Sequence, residues 1–186
     1  MGTDNQQETV EDVELAWLAG VLDSDGSVQM TVPKSEKGAR RCCVNVWIDF
    51  SNSDPAIINR VIDILDRIGL SHYDGEKRIK PIYKQDGTYY LSKTKICLFT
   101  RVSRLVSIEK ALSLLHPFLV GQKKAHSEII LRFVRKRISK GRKKYDGEDL
   151  MVVQEFFRQR NGRFAAKHVE TLDRLLNDCT PCSQAS

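Results

Sequence analysis

Apolar residues recur along this chain at two spacings, and the switches between them mark its elements. From about Val13 to Asp23 the spacing is helical, with Val13, Ala16, Trp17, Ala19 and Leu22 in step. Asp23-Ser24-Asp25-Gly26 follows as a turn signal, and residues 27–33 read as a strand. Residues 41–50 alternate most clearly. Val44, Val46, Ile48 and Phe50 form an apolar face against Asn45, Trp47, Asp49 and Ser51. A capping residue before Pro55 then starts a helix that runs to about Ile68 and ends at Gly69. Its apolar side carries Ile57, Val61, Ile64, Leu65 and Ile68. Residues 76–84 and 88–100 read as a strand pair joined through Asp86-Gly87, a strong hairpin signal. Helices are predicted near 104–115, 121–138, 149–160 and 164–178.

This order predicts an α+β fold: helix, strand pair, helix, strand pair, helix, then a helical tail. The two strand pairs form one antiparallel sheet with helices on one face. The other face stays wet, and its Lys, Arg, Tyr, Trp and Asn suit phosphates and base edges. The expected divisions are an acidic arm (1–11), a core (12–140), a basic linker (141–147), a helical extension (148–178) and a frayed tail (179–186).

Charge sharpens the picture. Lys plus Arg number 30 against 24 Asp plus Glu, a formal net charge of +6. The imbalance is segregated. Residues 1–14 carry five acidic residues and no basic one, whereas Arg132–Lys144 carries eight basic residues and no acidic one. Such segregation points to a polyanionic partner, the run tracking a nucleic-acid backbone, while a solvated helix end is the ordinary alternative. With 41% hydrophobic residues in 186, the composition excludes collagen, bulk disorder and a disulfide scaffold. No apolar run reaches the length of a membrane span, the acidic start lacks a signal-peptide core, and the five cysteines are an odd number. An intracellular protein without membrane partners is expected.

Two features of the first helix are unusual. Gly20 lies mid-helix, where Gly costs roughly 1 kcal/mol against Ala. Asp23 and Asp25 lie at the negative end of the helix dipole, where a carboxylate is disfavoured by roughly 0.3–1 kcal/mol. A divalent cation is the obvious compensator; turn chemistry is the plain alternative.

Leu18-Ala19-Gly20-Val21-Leu22-Asp23-Ser24-Asp25-Gly26 resembles the signature of the LAGLIDADG homing endonucleases. The element order resembles that family's αββαββα repeat with a saddle-shaped antiparallel sheet, and the chain adds a helical C-terminal extension. Leu115-His116-Pro117-Phe118-Leu119 and Gln122-Lys123-Lys124-Ala125 match as well, so the resemblance covers about 12–138.

The resemblance implies an Mg²⁺-dependent endonuclease that cuts both strands of a long, near-palindromic DNA site. Ca²⁺ or Mn²⁺ is expected to substitute in binding or cleavage. Asp25 would be the catalytic metal ligand, with the Ser24 carbonyl as a second ligand and Asp23 supporting the helix end. Lys123 and a polar residue at the end of the second strand would order water. Asn52, Ser53 and Asp54 stand at that strand end, and Ser53 represents them in the candidate site. Leu18, Ala19, Gly20 and Leu22 would form the interface between signature helices. Only one signature is present, so one chain supplies one such Asp and a homodimer is implied. Asn45, Trp47, Asp49, Gln29, Thr31, Lys80 and Tyr83 are candidate DNA readers; Arg40, Arg41, Lys77 and Lys84 are candidate phosphate contacts. Intron encoding is the usual setting of the family. A non-cleaving intron RNA maturase or DNA-binding regulator is the alternative on the same fold.

Other motifs fail. An EF-hand register around Gly26 places Val21 and Val32 at ligand positions. His126-Ser127-Glu128 lacks the cysteine pair of a deaminase. Cys179 and Cys182 lack two further zinc ligands.

Overall fold

The structure is a computed structural model, and it describes residues 10–32, 43–79, 82–83, 89–91, 95–141 and 143–161. The elements are α1 (Asp12–Ser24), β1 (Ser27–Thr31), β2 (Asn45–Asn52), α2 (Pro55–Arg67), β3 (Tyr73–Ile79), β4 (Ile82–Tyr83), β5 (Tyr89–Leu91), β6 (Lys95–Val102), α3 (Leu105–Leu115), α4 (Gly121–Lys140) and α5 (Gly147–Asn161).

Four strands form an antiparallel sheet in the order β1-β2-β6-β3. The expected second strand pair is present as β3 with β6. β4 and β5 make a separate two-stranded ladder beyond it, with a register irregularity at Ile82 and Tyr83. The Asp86-Gly87 turn lies outside the described residues.

Period-two alternation sorts the sheet into two faces. Val28, Met30, Val46, Ile48, Phe50 and Val102 turn inward and are all buried. They meet Leu18, Ala19 and Leu22 of α1, Val61, Ile64 and Leu65 of α2, and Ile108, Leu112 and Leu115 of α3 in one apolar cluster. On α2 the inward residue is Ile58, not Ile57, because the buried stripe runs 58, 61, 64, 65. Its start is as the sequence predicts: Asp54 Oδ1 accepts from the Ala56 N–H (2.9 Å), with Pro55 in the first turn.

The C-terminal part is built into this body. Leu150, Val153, Phe156 and Phe157 of α5 and Tyr145 of the α4–α5 loop belong to the same cluster. The β2 start donates to Tyr145 across the molecule, from Val44 N–H to the phenol oxygen (3.1 Å). The expected helix at 164–178 and Cys179 and Cys182 lie outside the described residues.

The basic run corrects an expectation. Arg132 pairs with Glu155, Arg135 with Glu109, Lys136 with Asp146 and Glu148, Arg137 with Asp149 and Lys140 with Asp146. Folding brings acidic residues of α3, α5 and the intervening loop against a stretch that is purely basic in sequence. Only Lys143 and Lys144 of the described run are exposed side chains without such a pair. The run therefore ties helices together more than it tracks a polyanion.

Candidate active site and sheet face

The signature helix α1 ends where β1 and β2 begin their pairing, and Gly26 sets how closely they meet. A Cβ there would lie 2.8 Å from the Asp49 carbonyl oxygen and 2.9 Å from Leu22 Cα. Neither atom can yield without moving backbone, so only glycine lets the chain turn from helix to strand here.

This turn presents Asp25 to solvent. Asn52, the last residue of β2, donates from Nδ2 to Asp25 Oδ2 (2.8 Å). Its Oδ1 accepts from the Asp54 N–H (2.8 Å), which fixes the amide orientation. Ser51 Oγ donates to the Asp25 carbonyl (2.9 Å). Asp25, Ser51, Asn52, Ser53, Ile79 and Cys97 line an open depression of about 220 Å³. Of the three strand-end candidates, Asn52 touches Asp25, Asp54 caps α2, and Ser53 is exposed in the depression wall without a bond to Asp25.

Lys123 reaches the same turn from α4. Its ammonium donates to the carbonyls of Leu22 and Asp23 (2.6 Å each) and approaches that of Ser24 (3.4 Å). These carbonyls are the unsatisfied end of α1. A cation from the chain itself thus sits where the sequence called for one. Burial pushes the Lys123 ammonium down, against the charges of Asp23 and Asp25, which favour it. Asp23 Oδ2 accepts from the Val120 N–H (3.0 Å), which ties the end of α1 to the start of α4.

The expected interface on α1 requires correction. Leu18, Ala19 and Leu22 are completely buried in the chain's own core. Gly20 alone of the four is exposed, on a face shared with Ala16, Ser24 and Val13, which is 73% exposed. Apart from α1's own backbone and the two chain neighbours of Gly20, no atom of the described residues lies within 4 Å of a Cβ built there.

The outward sheet face carries Gln29, Thr31, Asn45 and Trp47, all partly exposed. Asp49 shares that face but is only 6% exposed. Arg101 of β6, directly opposite in register, donates to it from Nε (2.6 Å) and Nη2 (2.8 Å). Trp47 Nε1 (3.1 Å) and Lys77 Nζ (3.5 Å) approach the same carboxylate. Asp49, expected as a reader, thus anchors a cationic cluster, and register is what brings Arg101 to it. Arg101 was not legible as a site residue, since nothing local distinguishes it. Arg40, Arg41, Lys80 and Lys84 lie outside the described residues, and of Tyr83 only its place in β4 is described.

A helix ending in an exposed aspartate above an open antiparallel sheet defines the class. A LAGLIDADG-like domain model matches residues 12–110, and the chain belongs to that family. Solved homing endonucleases share the fold. I-CvuI, in complex with its target in the presence of Ca, matches with a TM-score of 0.53 and 19% identity, over 88% of this chain and 95% of its own. I-TnaI matches with a TM-score of 0.54 and 12% identity, over 89% and 98%. I-SmaMI, bound to uncleaved DNA with calcium ions, gives a TM-score of 0.57 and 11% identity, over 94% of this chain but 51% of that one. No curated protein sequence matches. Among the described residues no helix is long and apolar enough to cross a membrane.

Proposed function

We propose that this chain is a site-specific double-strand DNA endonuclease that works as a homodimer with a divalent cation. The observation that carries the reading is the exposed Asp25 carboxylate. Asn52 orients it, and Ser51 holds the Asp25 main chain, at the end of a helix whose outer face is stripped of bulk.

The donor set suits Mg²⁺. The Asp25 carboxylate and the Ser24 carbonyl are hard oxygens. Among the described residues, no group of three His, Cys, Asp or Glu side chains is placed to hold a metal. One chain thus offers a partial set, which a second copy and the DNA phosphate would complete. A bound cation would activate water and stabilise the departing 3′ oxygen. The protein's own part is positioning. Asn52 holds one carboxylate oxygen of Asp25, and Lys123 offsets the negative end of α1. Asn52, with Ser53 beside it, borders the depression where an attacking water would be ordered.

Dimer formation is supported by α1. Ala16, Gly20 and Ser24, spaced by four, allow a second helix to approach closely, with Val13 at one end. The chain spans nearly all of I-CvuI and about half of I-SmaMI, as one unit of a two-unit enzyme would. The relatives solved on DNA targets support the partner, as do the basic and aromatic residues on the open face.

Binding selection from a randomised duplex library in Ca²⁺, followed by Mg²⁺ and end sequencing, tests the reading. The expected result is a two-fold symmetric consensus bound by a dimer in sedimentation and cut near its centre. Asp25→Asn should keep binding within a few-fold and lose cleavage by at least about 100-fold, the loss expected when a metal-held transition state is no longer stabilised. A bound consensus that is never cut would move the protein to a DNA-binding regulator. A monomer on DNA would overturn the dimer.

A further inference from the structure

The Asp49–Arg101 pair does not resemble a device for stability. Taking a carboxylate out of water is costly, and a buried ion pair is often no more stable than an apolar pair of the same size. Nor does it resemble a phosphate contact, because the carboxylate cancels the long-range charge that attracts a polyanion. The pair does leave direction. Arginine has five N–H donors in a rigid fork. Asp49 takes one from Nε and one from Nη2. Arg101 makes no other hydrogen bond among the described residues, and its side chain is 33% exposed. Three donors therefore remain, and two of them stand side by side on the Nη1–Nη2 edge.

That edge is held in place. The guanidinium carbon lies 4.9 Å from the Trp47 ring centroid and 5.7 Å from that of Phe99. Tyr73, opposite Arg101 on β3, packs edge-on to Phe99 with centroids 5.8 Å apart. Arg101 thus stands on an inner strand of the open face, between β2 and β3, near the end of the sheet where β3 begins.

We propose that Arg101 reads a guanine in the major groove of the target, and that Asp49 is the positioning residue that aims it. This rests on the DNA-binding reading above. Guanine presents two adjacent acceptors, N7 and O6, to the major groove, which match two parallel N–H donors. Adenine replaces the second acceptor with a donor, which a guanidinium cannot satisfy.

The test repeats the Ca²⁺ selection with Arg101→Ala, Arg101→Lys and Asp49→Asn, each checked for folding by thermal melting. The parent protein should require G at one symmetric position per half-site, with replacement by A weakening binding about tenfold, the size of a good bidentate pair. Arg101→Ala should lose the preference at that position and Arg101→Lys should weaken it, both keeping the rest of the consensus. Asp49→Asn should blur the same position while affinity for the best site falls only a few-fold. An unchanged consensus in the Arg101 variants would overturn the proposal, and so would a uniform loss of affinity at all sequences. A parent protein without any consensus would overturn the DNA-binding reading as well, which separates the two failures.

Discussion

Arg101 and Arg137 are built from the same parts, and the chain completes only one of them. Each is paired with a buried aspartate, Asp49 or Asp149, and each lies over an aromatic ring, Trp47 or Tyr145. Arg137 is 5% exposed, and its other three Nη donors meet the carbonyls of Gly141, Lys143 and Lys144. Arg101 is 33% exposed, and no carbonyl of the described residues accepts from it. The α4–α5 loop folds back over its arginine, whereas a flat sheet cannot fold over its own. Residue type therefore does not separate a structural ion pair from a recognition device. The count of donors left unused does.

The comparison is most strongly tested by stability. Arg137→Ala should cost about 3–5 kcal/mol in urea unfolding, because it takes the guanidinium from a fully buried carboxylate that Lys136 and Lys140 approach only to 3.8 Å. Arg101→Ala should cost less, about 1–3 kcal/mol, since Lys77 and Trp47 still reach Asp49. Equal costs would break the distinction.

Salt dependence sharpens it further. Lys77 is 46% exposed at the edge of the open face, whereas Arg132 is paired with Glu155 on the helical side. Lys77→Ala should reduce the slope of log affinity against log salt by about 1 per chain. Arg132→Ala should leave the slope unchanged. The reverse result would return the basic run to the DNA.

The smallest effect concerns two histidines that repeat the contrast between partnered and unpartnered groups. His72 sits between Asp66 (3.0 Å) and Asp74 (2.9 Å). Burial pulls its pKa down, but the bonds to both carboxylates outweigh this and hold it above the ordinary 6.5. Its stabilising contribution is present in full below 6.5 and is lost as pH rises through the raised value. His126 lies in the core against Phe156, with Nε2 lacking a partner among the described residues. Burial, helped by the charge of Arg160, pushes its pKa down. It therefore costs stability as pH falls below 6.5. His72→Gln should remove the loss of stability on the alkaline side, and His126→Gln the loss on the acid side. Melting curves across pH 5–9 check both signs.

Much of the fold is legible where burial repeats locally. The alternation of Val44, Val46, Ile48 and Phe50 marks the inner sheet face, and all four are buried. The signature around Asp25 marks both the family and the turn, because only glycine fits at 26. The candidate site is less legible. Asn52 could not be separated from Ser53 and Asp54, since all three are small polar residues at a strand end. Leu18, Ala19 and Leu22 sit in the signature helix, yet they face the chain's own core and leave Gly20 outside.

Periodicity and the signature by themselves determined the order of the main elements, the inward face of β2 and the family, because each depends on what neighbours in sequence can bury together. Tertiary structure alone decided how charges are used. Lys123 reaches α1 from 100 residues away, Arg101 meets Asp49 only through strand register, and the basic run is neutralised by acids on other elements. The reason is physical: burial of a face is a property of a segment, whereas the partner of a charge is set by which segments the fold brings within a few ångströms.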